Sequence, residues 1–277
     1  MTVGIVGMGL IGGSMAKSIK LHTDHTVLGA DVKESELLKA ELVGAIDGRL
    51  RDDRLRECDI VIVALYPADS VAYIKRNADS FGPGALVVDC SGVKRVVCEA
   101  LREVVAGRDF TFIGGHPMAG REYSGFKYAK DDLFERASMI LTPYPDAPIE
   151  LVARAKAFFL AAGFLRVVFT TPERHDEMIA YTSQMAHIIS SAYVKSELAM
   201  KHKGFSAGSF QDMTRVARLN EGMWSELFLS NREPLIHELD GIITRLHQYR
   251  GALEREDREE LERLLREGRE VKETLSE

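Results

Sequence analysis

The sequence predicts an α/β fold: an N-terminal doubly wound parallel sheet over residues 1–170, then an all-helical C-terminal domain over residues 171–277. Three observations carry this prediction. A glycine-rich turn joins an apolar β run to a helical pattern within the first residues. Short, continuously apolar runs then alternate with helical stretches as far as Leu165–Phe169. Beyond Thr170-Thr171-Pro172 turn signals become sparse and helical periodicity runs on to the end.

The first strand, Thr2-Val3-Gly4-Ile5-Val6, meets the signature Gly7-x-Gly9-x-x-Gly12. Between a strand and a helix this reads as a Rossmann-type dinucleotide fingerprint. Gly7 permits the tight turn, Gly9 leaves room for a pyrophosphate against the backbone, and Gly12 lets helix and strand pack closely. The helix N-terminus, at Leu10 and Ile11, then faces the phosphates. A second strand, Thr26–Ala30, ends in Asp31. A carboxylate there accepts hydrogen bonds from both ribose hydroxyls and repels a 2′-phosphate. It equally suits the N-cap of a Ser35–Val43 helix. Lys33 softens the repulsion, so NAD is favoured over NADP and dual use stays open.

Asp59–Leu65 is a continuous apolar run, the pattern of a parallel strand buried on both faces. Leu65 and Tyr66-Pro67 follow it in position to line the cofactor crevice. Ala85–Asp89 is another such strand, leading into Cys90-Ser91-Gly92-Val93-Lys94 and a helix to about Val105. Phe110–Ile113 adds a strand before Gly114-Gly115-His116-Pro117-Met118-Ala119-Gly120-Arg121-Glu122. Asp31, Tyr66, Ser91 and His116 all fall at carboxyl ends of strands, where such sheets bind ligands. His116 is thus an imidazole in a loop of small, backbone-flexible residues. A general base beside a nicotinamide is the core requirement of an alcohol-oxidising dehydrogenase. A loop histidine with a satisfied hydrogen bond is the competing reading.

A helix from about Ile149 to Ala162 and a last strand, Leu165–Phe169, close the first half. Pro172 suits the first turn of a helix capped by Thr171. Met178, Ile179, Met185, Ile188, Ile189, Ala192 and Val194 then fit one or two long helices. His175, beside Asp176 at the helix start, reads as structural. His187 shares a face with Ser183 and Gln184, as a core histidine or a ligand contact. Gly204–Phe210 breaks the helices and Gln211–Arg218 restarts them, carrying Arg215. Its guanidinium suits bidentate binding of a carboxylate, or a surface pair with Asp212 or Glu221. Trp224, the single tryptophan, reads as a packing anchor. Ala252–Glu277 reads as one charge-dense amphipathic helix with Leu261, Leu264, Leu265 and Leu275 as its stripe.

The 277 residues carry a formal charge of −6 and no Lys/Arg cluster, which argues against a nucleic-acid or membrane partner. No apolar run approaches membrane-spanning length, and the chain starts on a strand rather than a signal peptide. Cys58, Cys90 and Cys98 show neither metal spacing nor pairing, so a reducing cytoplasm and no metal site are expected. Cys90 reads as a buried spectator rather than a reactive thiol.

Gly7-x-Gly9-x-x-Gly12, Asp89–Lys94, Gly114–Gly120 and Asp212-Met213-Thr214-Arg215 together resemble the prephenate/arogenate dehydrogenase family, in the right order over essentially the whole chain. The Gly-Gly-His-Pro-Met-Ala-Gly segment is the specific part. The resemblance implies NAD-dependent oxidative decarboxylation of prephenate to 4-hydroxyphenylpyruvate, or of arogenate to tyrosine. It also implies a homodimer through the helical domain and an active site in the cleft between domains. On it, His116 and Ser91 are catalytic, Arg215 binds a carboxylate, His187 faces substrate and Glu122 gates the cleft. Gln184 stands at a substrate-facing position where members often carry a second histidine, and Ala186 replaces a common proline. Two other readings fit parts of the chain. One is another Rossmann enzyme with a helical domain, such as a 3-hydroxyacid dehydrogenase or a pyrroline-carboxylate reductase; the former uses a lysine, and Lys195 lacks its glycine-rich surroundings. The other is a non-catalytic NAD(H)-binding sensor.

Overall fold

The computed structural model describes residues 1–120 and 123–275. Its centre is an eight-stranded sheet in the order β3-β2-β1-β4-β5-β6-β7-β8. The strands are β1 Thr2–Val6, β2 Thr26–Ala30, β3 Gly48–Arg49, β4 Ile60–Val63, β5 Leu86–Asp89, β6 Thr111–Pro117, β7 Ser138–Pro143 and β8 Arg166–Phe169. β1 to β6 run parallel; β7 is antiparallel to β6, and β8 is parallel to β7. The strand order reverses between β1 and β4, which opens a crevice at their carboxyl ends.

Helices cover both faces: α1 Leu10–His22, α2 Glu34–Leu42, α3 Pro67–Asn77, α4 Arg95–Val105 and α5 Ile149–Ala161. Because strand side chains alternate, each apolar run feeds two cores. Val3, Ile5, Ile60 and Ile62 pack with Met15, Ile19 and Phe159 on one face. Val6, Val61 and Val63 pack with Ile74, Val97 and Leu101 on the other. This two-sided burial explains why the strands read as unbroken apolar runs.

The helical half consists of α6 Pro172–Ile179, a π-helical turn at Ala180–Gln184, α7 Met185–Tyr193, α8 Gly208–Thr214, α9 Glu221–Ser230, α10 Arg232–Glu254 and α11 Arg258–Thr274. Thr171 Oγ1 accepts from Arg174 N at 3.2 Å and Pro172 opens α6, as the sequence predicted. The buried core here is small: Ala180, Met185 and Leu235, with half-buried residues around them. Leu229, Ile236, Ile243, Leu246 and Leu253 remain exposed.

The expected doubly wound sheet and helical second half are both present, and several details differ. β6 runs on through Pro117, so His116 is a strand residue and not part of a loop. β3 and β7 were not foreseen. The second helix starts at Glu34 with Lys33 in the cap position, so Asp31 is not its N-cap. The tail is two helices: α10 ends at Glu254, Glu256 takes a left-handed φ of 53°, and Asp257 caps α11 through Glu260 N. Of the expected stripe only Leu264 is buried, while Leu265 and Leu275 are exposed. Arg215 sits on a 3-10 turn, Arg215–Ala217, after α8 has ended. Among the described residues, no helix is long and apolar enough to cross a membrane.

Candidate active site

The glycine turn has the geometry that its sequence requires. Gly7 has φ +91° and donates to Ala30 O at 2.7 Å, tying the turn to β2. A Cβ on Gly12 would stand 1.8 Å from Gly7 O, so α1 starts against the turn at a distance only glycine allows. Gly9 occupies the N-cap of α1 without a side-chain cap, and a Cβ there would meet nothing within 4 Å. The first N–H groups of a helix have no partner inside it. At Leu10 and Ile11 they follow directly on the open space at Gly9, the arrangement that suits a pyrophosphate. Asp31 follows β2 and accepts from Met8 N at 2.7 Å and from Lys33 N at 2.8 Å. Its carboxylate is thereby fixed beside the turn. Leu65 is half-buried after β4, its carbonyl accepting from the Ser70 hydroxyl at 3.2 Å, and Tyr66 is exposed.

β5 and β6 carry the second group of residues. Gly114 and Gly115 pair with Thr142 and Leu141 on β7, and His116 stands opposite Ile140. These glycines are demanded by packing, not by φ. A Cβ on Gly115 would lie 2.5 Å from Asp89 O, and one on Gly114 would lie 2.9 Å from Cys98 Sγ and 3.2 Å from Lys94 Cδ. The missing side chain at Gly114 leaves room for Lys94, whose side chain is wholly buried. Its ammonium donates to the Asp89 carboxylate and, at 2.6 Å, to Gly115 O. Asp89 also accepts from Ser91 N at 2.9 Å and from Gly115 N at 3.1 Å. One buried ion pair thus holds both the Ser91 loop and the strand of His116. The Ser91 hydroxyl lies 3.4 Å from that of Ser70.

His116 meets the helical half directly. Its Nδ1 lies 2.9 Å from His175 Nε2, and His175 Nδ1 lies 2.7 Å from Asp176 Oδ1. Asp176 is itself buried and accepts from Lys94 N at 2.8 Å and Arg95 N at 3.0 Å, capping α4. On the far side, His116 Nε2 faces Gly92, where a Cβ would stand 4.0 Å from it and 3.3 Å from Leu227 Cδ2. Burial pushes the His116 pKa well below the usual imidazole value, and repulsion from His175 and Lys94 adds to the effect. Burial also lowers His175, against the opposing pull of Asp176. Burial raises the Cys90 thiol far above its ordinary value, which makes it a neutral spectator.

The helical half closes on the sheet at a second point. Glu226 of α9 accepts from Ala68 N at 3.0 Å, at the start of α3 beside Tyr66-Pro67. His187 is half-buried, with Nδ1 2.9 Å from Ser183 O and its ring stacked on Trp224 at 4.0 Å. Arg215 is exposed on a turn packed against α7, the helix of His187. Gln184 is buried, donating to Leu227 O at 3.3 Å and accepting from Asn231 Nδ2 at 2.8 Å, so its amide ties α9 to the residue before α10. Glu122 lies outside the described residues. Reading the sequence missed the roles of Lys94, Asp176 and Asn231, and cast His175 as structural; a lysine five residues after the aspartate that ends an apolar strand was the available signal for Lys94.

Residues 15–168 match the family model of the prephenate dehydrogenase nucleotide-binding domain, and residues 171–267 that of its dimerization domain. The chain belongs to the prephenate dehydrogenase family. It is 30% identical to the prephenate dehydrogenase of Bacillus subtilis, over 99% of this chain and 76% of that protein. It is 28% identical to the cyclohexadienyl dehydrogenase of Zymomonas mobilis, over 92% and 89%. A crystal structure of Aquifex aeolicus prephenate dehydrogenase, in complex with hydroxyphenyl propionate and NAD+, superposes with a TM-score of 0.88 at 28% identity, covering 99% of this chain and 98% of that one. The family, the fold class and the dehydrogenase activity expected from the sequence are therefore borne out, and the first half is the family's nucleotide-binding domain.

Proposed function

We propose that this chain oxidises prephenate to 4-hydroxyphenylpyruvate and CO2 with NAD, through a site built between residues 1–170 and 171–277. The observation that carries the reading is His116. It is an imidazole locked in β6, with Nδ1 engaged by His175 and Nε2 turned toward Gly92, next to Ser91. An unprotonated imidazole there is the proton acceptor that oxidation of a ring hydroxyl needs.

Gly7, Gly9 and Gly12 with the N–H groups at Leu10 and Ile11 hold the pyrophosphate; Asp31 binds the adenosine ribose, and Leu65 and Tyr66 line the crevice. Bound there, NAD would supply the acceptor for the hydride that leaves C4 of the substrate. His116 accepts the C4 hydroxyl proton as that hydride leaves, and Ser91 orients the hydroxyl. The ring carboxylate then departs as CO2, its bonding pair aromatises the ring, and the proton held on His116 returns to the phenolate oxygen. Arg215 clamps a substrate carboxylate with a bidentate, charge-assisted contact. His187, fixed on Trp224, contacts the substrate.

The helical half forms a homodimer interface. Its exposed Ile236, Ile243, Leu246 and Leu253 on α10 support this reading, since apolar residues at such spacing cover one helix face and need a partner. The test is NADH formation by the purified chain with NAD and prephenate, run beside a matched arogenate reaction. Prephenate turnover giving 4-hydroxyphenylpyruvate supports the reading. A preference for arogenate makes tyrosine the direct product instead, and no turnover on either overturns it.

A further inference from the structure

His175 lies 59 residues from His116 in sequence and on the other half of the chain, yet with Asp176 it forms one line of contacts with it. An ionised carboxylate can only accept hydrogen bonds. Asp176 takes two from the backbone N–H groups of Lys94 and Arg95. Its third partner, His175 Nδ1, must therefore carry the proton that is shared between them. Burial, with the Lys94 ammonium, outweighs the pull of Asp176 and Asp89 and holds His175 below the ordinary imidazole value, so at neutral pH its ring is taken as neutral. A neutral ring with a proton on Nδ1 has a bare Nε2. That nitrogen faces His116 Nδ1 at 2.9 Å and can only accept. His116 must then hold its proton on Nδ1, which leaves Nε2 as the free lone pair.

The geometry points to His175 and Asp176 as positioning residues that fix His116 in its Nδ1–H tautomer, so that Nε2, the nitrogen facing Gly92 beside Ser91, is the one able to take a proton. This inference rests on the reading of His116 as the proton acceptor. The logic is that of an orienting carboxylate behind a catalytic imidazole, lengthened by one ring. Asp176 does more than orient. By capping α4 it fixes Lys94 N and Arg95 N, and Asn231 Nδ2 holds its own carbonyl at 2.8 Å. The relay is thus seated in both halves of the chain, and the tautomer is set only when the halves are packed together.

The test is ¹⁵N NMR of the protein labelled at its eight histidines, with the His116 signals identified by their absence from the His116→Asn variant. The wild-type ring is expected to show a protonated Nδ1 and a bare Nε2. His175→Leu removes the acceptor, so His116 should shift toward the Nε2–H form. The same change should lower kcat by roughly 10²-fold or more, short of the ~10⁴ that follows loss of an orienting carboxylate in a serine protease. KM for NAD should stay within about twofold. His175→Gln restores an acceptor oxygen and should recover most of kcat, which a merely structural histidine would not predict. An Nε2–H tautomer in the wild-type ring overturns the inference, and so does wild-type kcat in folded His175→Leu. The NMR measurement needs no substrate. If the wild-type chain turns over neither cyclohexadienyl substrate, the activity reading falls while the tautomer assignment stands on the spectra.

Discussion

Lys94, wholly buried, holds the carboxylate of Asp89 and the carbonyl of Gly115, the residue before His116. A buried charge is tolerated only when paired and hydrogen-bonded, and breaking such a pair leaves its partner uncompensated. Here the pair also fixes the backbone of Ser91 and Gly115 through Asp89. Lys94→Met should therefore cost about 3–5 kcal/mol of stability. Urea denaturation measures it. A variant as stable as the wild type would show that the pair contributes little to the fold.

Gly115 and Gly9 make opposite predictions. A Cβ at Gly115 would press on Asp89 O at 2.5 Å, Met139 Cε at 2.6 Å and Val88 Cγ1 at 2.7 Å. Gly115→Ala should destabilise by about 1–3 kcal/mol through overpacking. At Gly9 the added methyl meets nothing within 4 Å. Gly9→Ala should leave stability within about 0.5 kcal/mol yet weaken NAD, because the methyl fills the space the pyrophosphate needs. Thermal melts and a fluorescence titration with NADH separate the two. Full NADH affinity in Gly9→Ala would place the cofactor elsewhere.

Protonation should act against both the fold and the chemistry at mildly acid pH. In the folded chain His116 is held well below the ordinary imidazole value and His175 is lowered too, both chiefly by burial. In the unfolded chain both rings titrate near ~6.5. The unfolded state therefore binds more protons below that pH, so stability is complete above about pH 6.5 and falls as pH drops beneath it. The acid limb of kcat/KM should likewise lie below ~6.5, since His116 must be neutral to accept a proton. Denaturation midpoints and initial rates across the range test both. A loss of kcat/KM beginning above pH 7 would contradict the depressed histidine.

Arg215 stands on an exposed 3-10 turn against α7. If it clamps a substrate carboxylate, Arg215→Ala should raise KM for prephenate roughly 10- to 100-fold, the worth of a charged hydrogen bond of about 1.5–3 kcal/mol. KM for NAD and kcat should change far less. An unchanged KM for prephenate assigns the arginine to structure alone.

Much of this site was legible in the sequence because its logic is local. The glycine turn, Asp31 after β2 and Ser91 after β5 follow from strand ends and from spacing over a few residues. Gly114-Gly115 misled, since a glycine pair reads as a flexible loop. Only the packed structure shows that they sit within a strand, Gly114 against Lys94 and Gly115 against Asp89 O. β7 was missed for a related reason, because Ser138–Pro143 pairs antiparallel with β6 and breaks the β-α rhythm that revealed the others. His175–Asp176 was beyond reach: its partner is 59 residues upstream, and nothing local distinguishes it from a helix start. The tail read as one helix because the break at Glu256 rests on a left-handed residue that is not glycine.

The most direct measurement is NADH formation from prephenate by the wild-type chain and by His116→Asn, with NADH binding titrated for both. Turnover by the wild type, a fall in kcat of roughly 10²–10⁴-fold in the variant, the usual worth of a general base, and matching cofactor affinities are predicted. Undiminished turnover by His116→Asn would contradict the assignment of His116 as the proton acceptor.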